Sequence, residues 1–286
     1  MNKIPVLKTV RFAYAFAFGS IGTIIGLVWL PTLLIGVLQF LPYALGTQSA
    51  EGNSAAESAA ALLNFAFFFA SLLLYAMNAV AVTQLAFGKH PEGSMSVHLS
   101  LGRPEWRMLG ANLFCALVLG GLLLVYFLGI SYAASFAKDG VPVPLAIGLI
   151  FYVVAGICLL VYAGIRLVPL QAPVIVAEDK LDLARGWHLM AGNILRMLAV
   201  FVAVFFPLLV IQAAATLAIG GPALVAPLPS NPDAMALALN ARLATLNGHM
   251  PELIGLFLIL APFSLGLTMG AETAAYRALV AANAKV

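Results

Sequence analysis

The 286-residue chain is 63% hydrophobic and only 9% charged, with a mean hydropathy of +1.05. Soluble globular domains carry about 25% charged residues, so these values exclude that class and define an all-α, polytopic integral membrane protein. The net charge of +3 comes from dispersed lysines and arginines, and without a dense basic run nucleic acid is set aside as a partner.

Residues 1–11 carry Lys3, Lys8 and Arg11 with no acid, and residues 12–45 carry no charge at all. A cleavable signal has an apolar region of about 7–15 residues, so this is a retained membrane segment. It also exceeds one straight crossing of about 30 Å at about 1.5 Å per residue, so its first two turns are expected at the interface and the span at 20–45. Pro31 is expected to kink this span, and Gly22 and Gly26 to let another helix approach closely.

Residues 46–60 are small and polar. Ser54 followed by Glu57 forms a capping box that starts the next helix, with a span at 61–87. Asn64, Ser71, Tyr75 and Asn78 follow at spacings of seven, four and three, which puts them on one face expected to point into the bundle. They serve either a polar pathway for a substrate or hydrogen bonding between helices; no charged residue joins the face, which favours the second.

A wet loop at 88–107 holds His90 and His98, and span three follows at 109–136. A turn at 137–144 with Lys138 and Asp139 leads into span four at 145–165. After a polar stretch at 166–196 come span five at 197–219, a loop at 220–252, span six at 253–271 and a tail. Cys115 and Cys158 both lie in apolar runs and read as packing residues, not as a disulfide or thiolate site.

Of the 14 lysines and arginines, only Lys138 and Arg242 fall on the side opposite the N-terminus. By the positive-inside rule both termini and the 166–196 loop are cytoplasmic, and 220–252 is exported. The exported loop has Asn231 as N-cap, Pro232 at the first helical position and Gly248 at the end. These predict a surface helix over 232–247 with Met235, Leu239, Leu243 and Leu246 along one face, either a passive interfacial helix or a lid.

In the 166–196 loop, Pro169 and Pro173 predict an extended passage, and Glu178, Asp179 and Asp182 mark the start of the next helix. Trp187, Met190 or Ala191, and Ile194 form its apolar stripe; Gly192 weakens it and Asn193 can cap a new helix. The predicted device is a short amphipathic helix on the membrane, a turn, and entry into span five. Trp106 and Asn112 repeat the six-residue separation of Trp187 and Asn193, again with two apolar and two small residues between, ahead of span three. A fainter copy, with Tyr14 and Ser20, precedes span one. The expected architecture is therefore three transmembrane hairpins, each entered through an interfacial helix. Arg166 and Glu272, at the cytoplasmic ends of spans four and six, are expected to pair, the alternative being that each snorkels separately to water.

Pro173, Glu178, Ala184, Trp187, Leu189, Gly192, Asn193 and Arg196 together resemble a pattern of a loose superfamily of bacterial membrane proteins. It includes the YciC-like inner-membrane proteins and the membrane domain preceding the catalytic domain in some glycerophosphodiester phosphodiesterases. Gly186 stands where the pattern has serine, and outside this stretch the similarity is one of hydropathy only. The resemblance implies six spans, a bacterial inner membrane and an accessory or uncharacterised role, and it carries over no catalytic residue.

The sequence holds no HExxH, GxSxG or P-loop motif, and its four histidines are dispersed in loops, so neither a metal nor a cofactor is expected. No acid lies deep in a span; Glu272, at the inner end of span six, comes closest. These readings favour a non-enzymatic membrane protein acting through membrane lipids, a partner membrane protein or a second copy of itself. The alternatives are a transporter or channel for a lipidic or neutral solute, using the polar face of span two, and an enzyme acting on headgroups through His188, Glu178 and Asp179.

Overall fold

The computed structural model describes residues 3–44, 54–89, 99–135 and 143–283, and these contain helices and turns but no strand. The capping-box side chains of Ser54 and Glu57, the loop histidines His90 and His98, and the Lys138–Asp139 turn lie outside the described residues. Helix α1 (Val6–Gly19) is followed by α2 (Ile21–Ala44), α3 (Ser54–Ala86), α4 (Arg103–Ser135) and α5 (Val143–Leu167). Two short helices, α6 (Gln171–Glu178) and α7 (Leu183–Leu189), precede α8 (Ile194–Gly220), a 3-10 turn (Pro222–Leu224), α9 (Pro232–Gly248) and α10 (Met250–Asn283). Six segments are long and apolar enough to cross a membrane: those of α2, α3, α4, α5 continued through α6, α8 and α10. The chain is a multi-pass helical membrane protein.

The bundle has two unlike ends. Arg277 donates to the Ala86 carbonyl and faces the Phe87 and Phe12 rings, and Arg196 donates to the Ile4 carbonyl, so the N-terminus and these cations share one end, here the basic end. The other is the α9 end.

Helix α10 is the axis. Its 34 residues extend about 50 Å at about 1.5 Å per residue, longer than the ~30 Å hydrocarbon core. Residues 272–283, expected as part of a tail beyond span six, are instead its last turns. Alanine-rich sequence without a breaker keeps them helical, and Ala271, Ala275 and Leu279, at i, i+4 and i+8, are buried together. They join Ile4, Ala13 and Ala17 from the N-terminal segment and Met197, Val200 and Val204 from α8 in one cluster at the basic end.

Helices α1 and α2 run antiparallel along α10. Ala17 lies beside Gly266, Ala13 beside Gly270, and Gly36 beside Ile254. A Cβ at Gly270 would stand 3.2 Å from the Ala13 Cα, and one at Gly266 would stand 3.3 Å from the Ala17 Cβ. Without a hydrophobic drive between helices in lipid, such close backbone approach is what holds them. It occurs at the Gly266–Gly270 pair and not at Gly22, where an added Cβ would meet nothing within 4 Å. The α1–α2 junction is a one-residue interruption at Ser20, whose N–H still donates to the Phe16 carbonyl at 2.9 Å. Helix α2 continues through Pro31, as α8 does through Pro207 and α10 through Pro262.

Helix α6 replaces the expected extended passage. Pro173 sits at its third residue, within the first turn, where the missing N–H leaves no intrahelical bond unmade. Residues Gln171 to Val176 are all buried, and α6 packs against α3, α4 and α10. Glu178 closes α6 instead of opening the next helix, and Asp179 follows in the left-handed conformation at φ 50°. Lys89 donates to the Val176 carbonyl at 3.1 Å and Arg107 to the Asp179 carbonyl, placing two cations at the negative end of the helix. Ala172, Ile175 and Val176 of α6 then complete a second core with Val28, Ala79, Val80, Met108 and Met269.

Gly270→Val should cost about 1–3 kcal/mol by forcing α1 away from α10, whereas Gly255→Ala, where an added Cβ meets nothing within 4 Å, should be tolerated. Thermal unfolding of the two purified variants, followed by intrinsic fluorescence, separates them; equal melting temperatures would refute the close α1–α10 packing.

Candidate functional site

In the half of the bundle toward α9, the helices leave a cavity of about 620 Å³. Helix α10 supplies most of its apolar wall, including Leu253, Phe257, Leu260 and Leu265, and α9 contributes Leu246. Its polar groups are uncharged and come in sets from each helix: Thr32 from α2, Tyr75 and Asn78 from α3, Gln212 and Thr216 from α8, Ser264 and Thr268 from α10. The volume lies in the range of a small-ligand site, about 300–1,000 Å³, and an apolar lining with a few polar groups is the usual composition of one.

Toward the basic end the cavity is closed. Met269 accepts a hydrogen bond from the Thr83 hydroxyl, S···O 3.2 Å, and both residues are buried. Glu272 lies one turn past Thr268, only 3% exposed and within electrostatic range of Tyr75. Beyond them stands the second core with α6. Toward the α9 end the cavity shares Gln212, Thr216 and Leu246 with a groove between α8 and α9 that includes Arg242, whose guanidinium donates to the Ala226 carbonyl.

The four polar residues of α3 are not treated alike. Asn78 is 4% exposed and its Nδ2 donates to Thr32 Oγ1 at 3.3 Å, and Tyr75 lines the cavity beside it. Ser71 is half-buried and Asn64 exposed, and neither lines the cavity. Gln212, Thr216, Ser264 and Thr268 escaped the sequence reading. The signal was present: each pair is spaced i, i+4 in an otherwise apolar helix, which puts both members on one face.

The two tryptophan–asparagine segments differ. In the second, α7 ends, Gly192 takes φ +75°, and α8 starts at Ile194 with Asn193 at its N-cap position. In the first, α4 runs unbroken from Arg103 through Asn112, so the expected helix break is absent there and the shared device is not formed. The order of the small residues explains this. Gly192 stands directly before Asn193 and can adopt the left-handed turn; before Asn112 that place is held by Ala111, and Gly110 remains helical. Trp106 is 54% exposed, while Trp187 is half-buried.

Asn193 and Arg196, on the first turn of α8, hold the N-terminal segment. Asn193 Oδ1 accepts from the Ile4 N–H at 3.0 Å, and Arg196 donates to the Ile4 carbonyl at 3.3 Å, so both backbone groups of a fully buried residue are satisfied by one motif.

Arg166 and Glu272 form no ion pair among the described residues. Arg166 donates to the Tyr162 hydroxyl, and its guanidinium lies 4.1 Å from the centre of the Trp187 ring. A cation over an aromatic face is attracted without the need for an acid. Of the groups considered for headgroup chemistry, Glu178 accepts from Tyr276 at 2.8 Å and from Arg185 at 3.3 Å, Asp179 pairs with Arg107, and His188 is exposed. The two carboxylates therefore serve as ties between α6, α7, α10 and α4.

Compared with known proteins, the chain matches no family model, no curated sequence and no solved structure.

Gly192→Ala should destabilise the protein by about 1–2 kcal/mol, the cost of a left-handed non-glycine residue. Gly110→Ala should be neutral or stabilising by up to about 1 kcal/mol, since the nearest atom to its Cβ would be Leu181 Cδ2 at 3.9 Å. Melting temperatures of the two variants that move in the same direction would contradict this assignment.

Proposed function

We propose that the chain is a non-enzymatic, multi-pass protein of the bacterial inner membrane that acts through membrane lipids, holding one amphiphilic molecule in the cavity between α2, α3, α8 and α10. The observation that carries this reading is the composition of the cavity: a wall of leucine and phenylalanine, mostly from α10, together with uncharged hydroxyl and amide side chains. An amphiphile matches both surfaces, whereas a small polar solute would leave the apolar wall wetted and an alkane would leave the polar groups unpaired.

The distribution of basic residues supports an orientation with both termini in the cytoplasm. The α9 end, where the cavity meets the groove bearing Arg242, is then the exported side. Trp106 and Trp187 would stand at the inner headgroup level, where tryptophan favours the interface. The resemblance of Pro173 to Arg196 to the YciC-like and phosphodiesterase-associated membrane domains supports the same placement and an accessory role.

Two measurements test this. In a background lacking native thiols (Cys115→Ala, Cys158→Ala), cysteine at position 180 should be modified by an impermeant maleimide only from the cytoplasm and cysteine at 240 only from outside; the reverse pattern would overturn the orientation. In the same background Ser264→Cys, on the cavity wall, should react with a small thiosulfonate reagent, and saturating long-chain amphiphile should slow that reaction at least tenfold. Unchanged reactivity with every amphiphile tried would overturn the binding role.

A further inference from the structure

Resting on that reading, we propose that the amphiphile carries an uncharged hydroxyl headgroup and is recognised through Asn78, with the hydroxyl seated at the deep end of the cavity. Asn78 lines the cavity and is 96% buried, its amide nitrogen is committed to Thr32, and its Oδ1, buried with the rest of the side chain, has no partner among the described residues. A buried amide oxygen left without a hydrogen bond costs free energy that a bound donor recovers. Four other buried side-chain atoms lack partners among the described residues, on Thr9, Asn112, Arg166 and Thr273, but none of those residues lines this cavity.

The neighbouring groups narrow the class. Thr268 already donates to the Ser264 carbonyl at 2.7 Å, so its hydroxyl is left as an acceptor. Exchanging the two ends of the Asn78 amide would put its oxygen on the Thr32 hydroxyl and free its nitrogen instead. A ligand hydroxyl, being both donor and acceptor, satisfies either orientation. Among the described residues no lysine, arginine or carboxylate lines the cavity, so a carboxylate or ammonium headgroup would leave water without a counter-charge in its wall. The remaining alternative is an anionic headgroup held at the mouth by Arg242 with its chain pointing inward, which would leave Asn78 unsatisfied.

Four ten-carbon probes decide between these: decanol, decanoate, decyltrimethylammonium and decane, each titrated into the Ser264→Cys protein in nanodiscs while thiol modification is followed. Decanol should protect at the lowest concentration. Asn78→Leu, close in shape to the native residue, should weaken decanol protection about three- to tenfold while leaving decane unchanged. Thr32→Val, which leaves the amide wholly available, should keep or strengthen it, and provides the test should Asn78→Leu fail to fold. Equal protection by all four probes, or decanol protection indifferent to Asn78→Leu, would overturn hydroxyl recognition and leave amphiphile binding standing. Decanoate protection that Arg242→Gln abolishes and Asn78→Leu does not would establish the mouth-bound anion in its place. If no probe protects, the binding role itself fails.

Discussion

The structure depends on the close approach of α10 to α1 and α2. Helices in a bilayer gain nothing by hiding apolar side chains from lipid, so association rests on van der Waals contact between backbones that small residues bring together. Gly266 and Gly270 meet Ala17 and Ala13 at distances where a side chain added on α10 would push its neighbour aside. With that contact fixed, α10 becomes the common neighbour of α1, α2, α3, α6 and α8, while α4 and α5 stay at the periphery with apolar rows such as Leu117, Leu124, Ile150 and Phe151 turned outward.

The cavity follows from an asymmetry between the two halves of the bundle. At the basic end, α6 inserts beside α3 and α10 and fills the interior with Ala172, Ile175 and Val176. Among the described residues no equivalent segment enters from the α9 end, where α9 contributes Leu246 to the cavity wall. Passage across the membrane along this axis would need α6 to leave a site where six consecutive residues are buried and its C-terminal end is tied by Lys89, Arg107, Arg185 and Tyr276. A one-sided binding site fits that arrangement better than a through pathway.

The membrane class and the six long apolar segments were legible because bilayer thickness leaves a strong mark on composition. Breaks within helices were legible only where a single residue dictates them. Gly192 directly before Asn193 announced its turn, while Gly110 and Ala111 before Asn112, the same residues in the other order, did not break α4. The α6 misreading came from treating Pro173 as a helix breaker when its place in the first turn makes it harmless. The Arg166–Glu272 pairing failed because topology fixes depth but not azimuth. Two charges at one level of a bundle can face different neighbours, and Arg166 found aromatic rings on α5 and α7. The cavity was half legible: Tyr75 and Asn78 stood out beside two residues that do not line it, and the polar pairs on α8 and α10 were hidden by their apolar surroundings.

The contrast between the two kinds of signal has a physical cause. The G-N-x-x-R run of Gly192, Asn193 and Arg196 is conspicuous because a turn, a cap and a backbone clamp must follow one another at fixed offsets, and its work is to seat Ile4. It is a structural motif whatever the protein does. A site shared by four helices needs no fixed order along the chain, only one or two polar residues per helix at the right depth, so it leaves no motif. In hydrocarbon, backbone polar groups must find partners within the protein, and side-chain groups are under the same pressure: Thr83 turns to Met269, Gln171 to Leu167 and Cys115, Tyr14 to the carbonyls of α8. Against that background a buried polar atom without a partner among the described residues, on a side chain that lines a cavity, is better evidence of a ligand than a motif whose every hydrogen bond is already made, and Asn78 carries one.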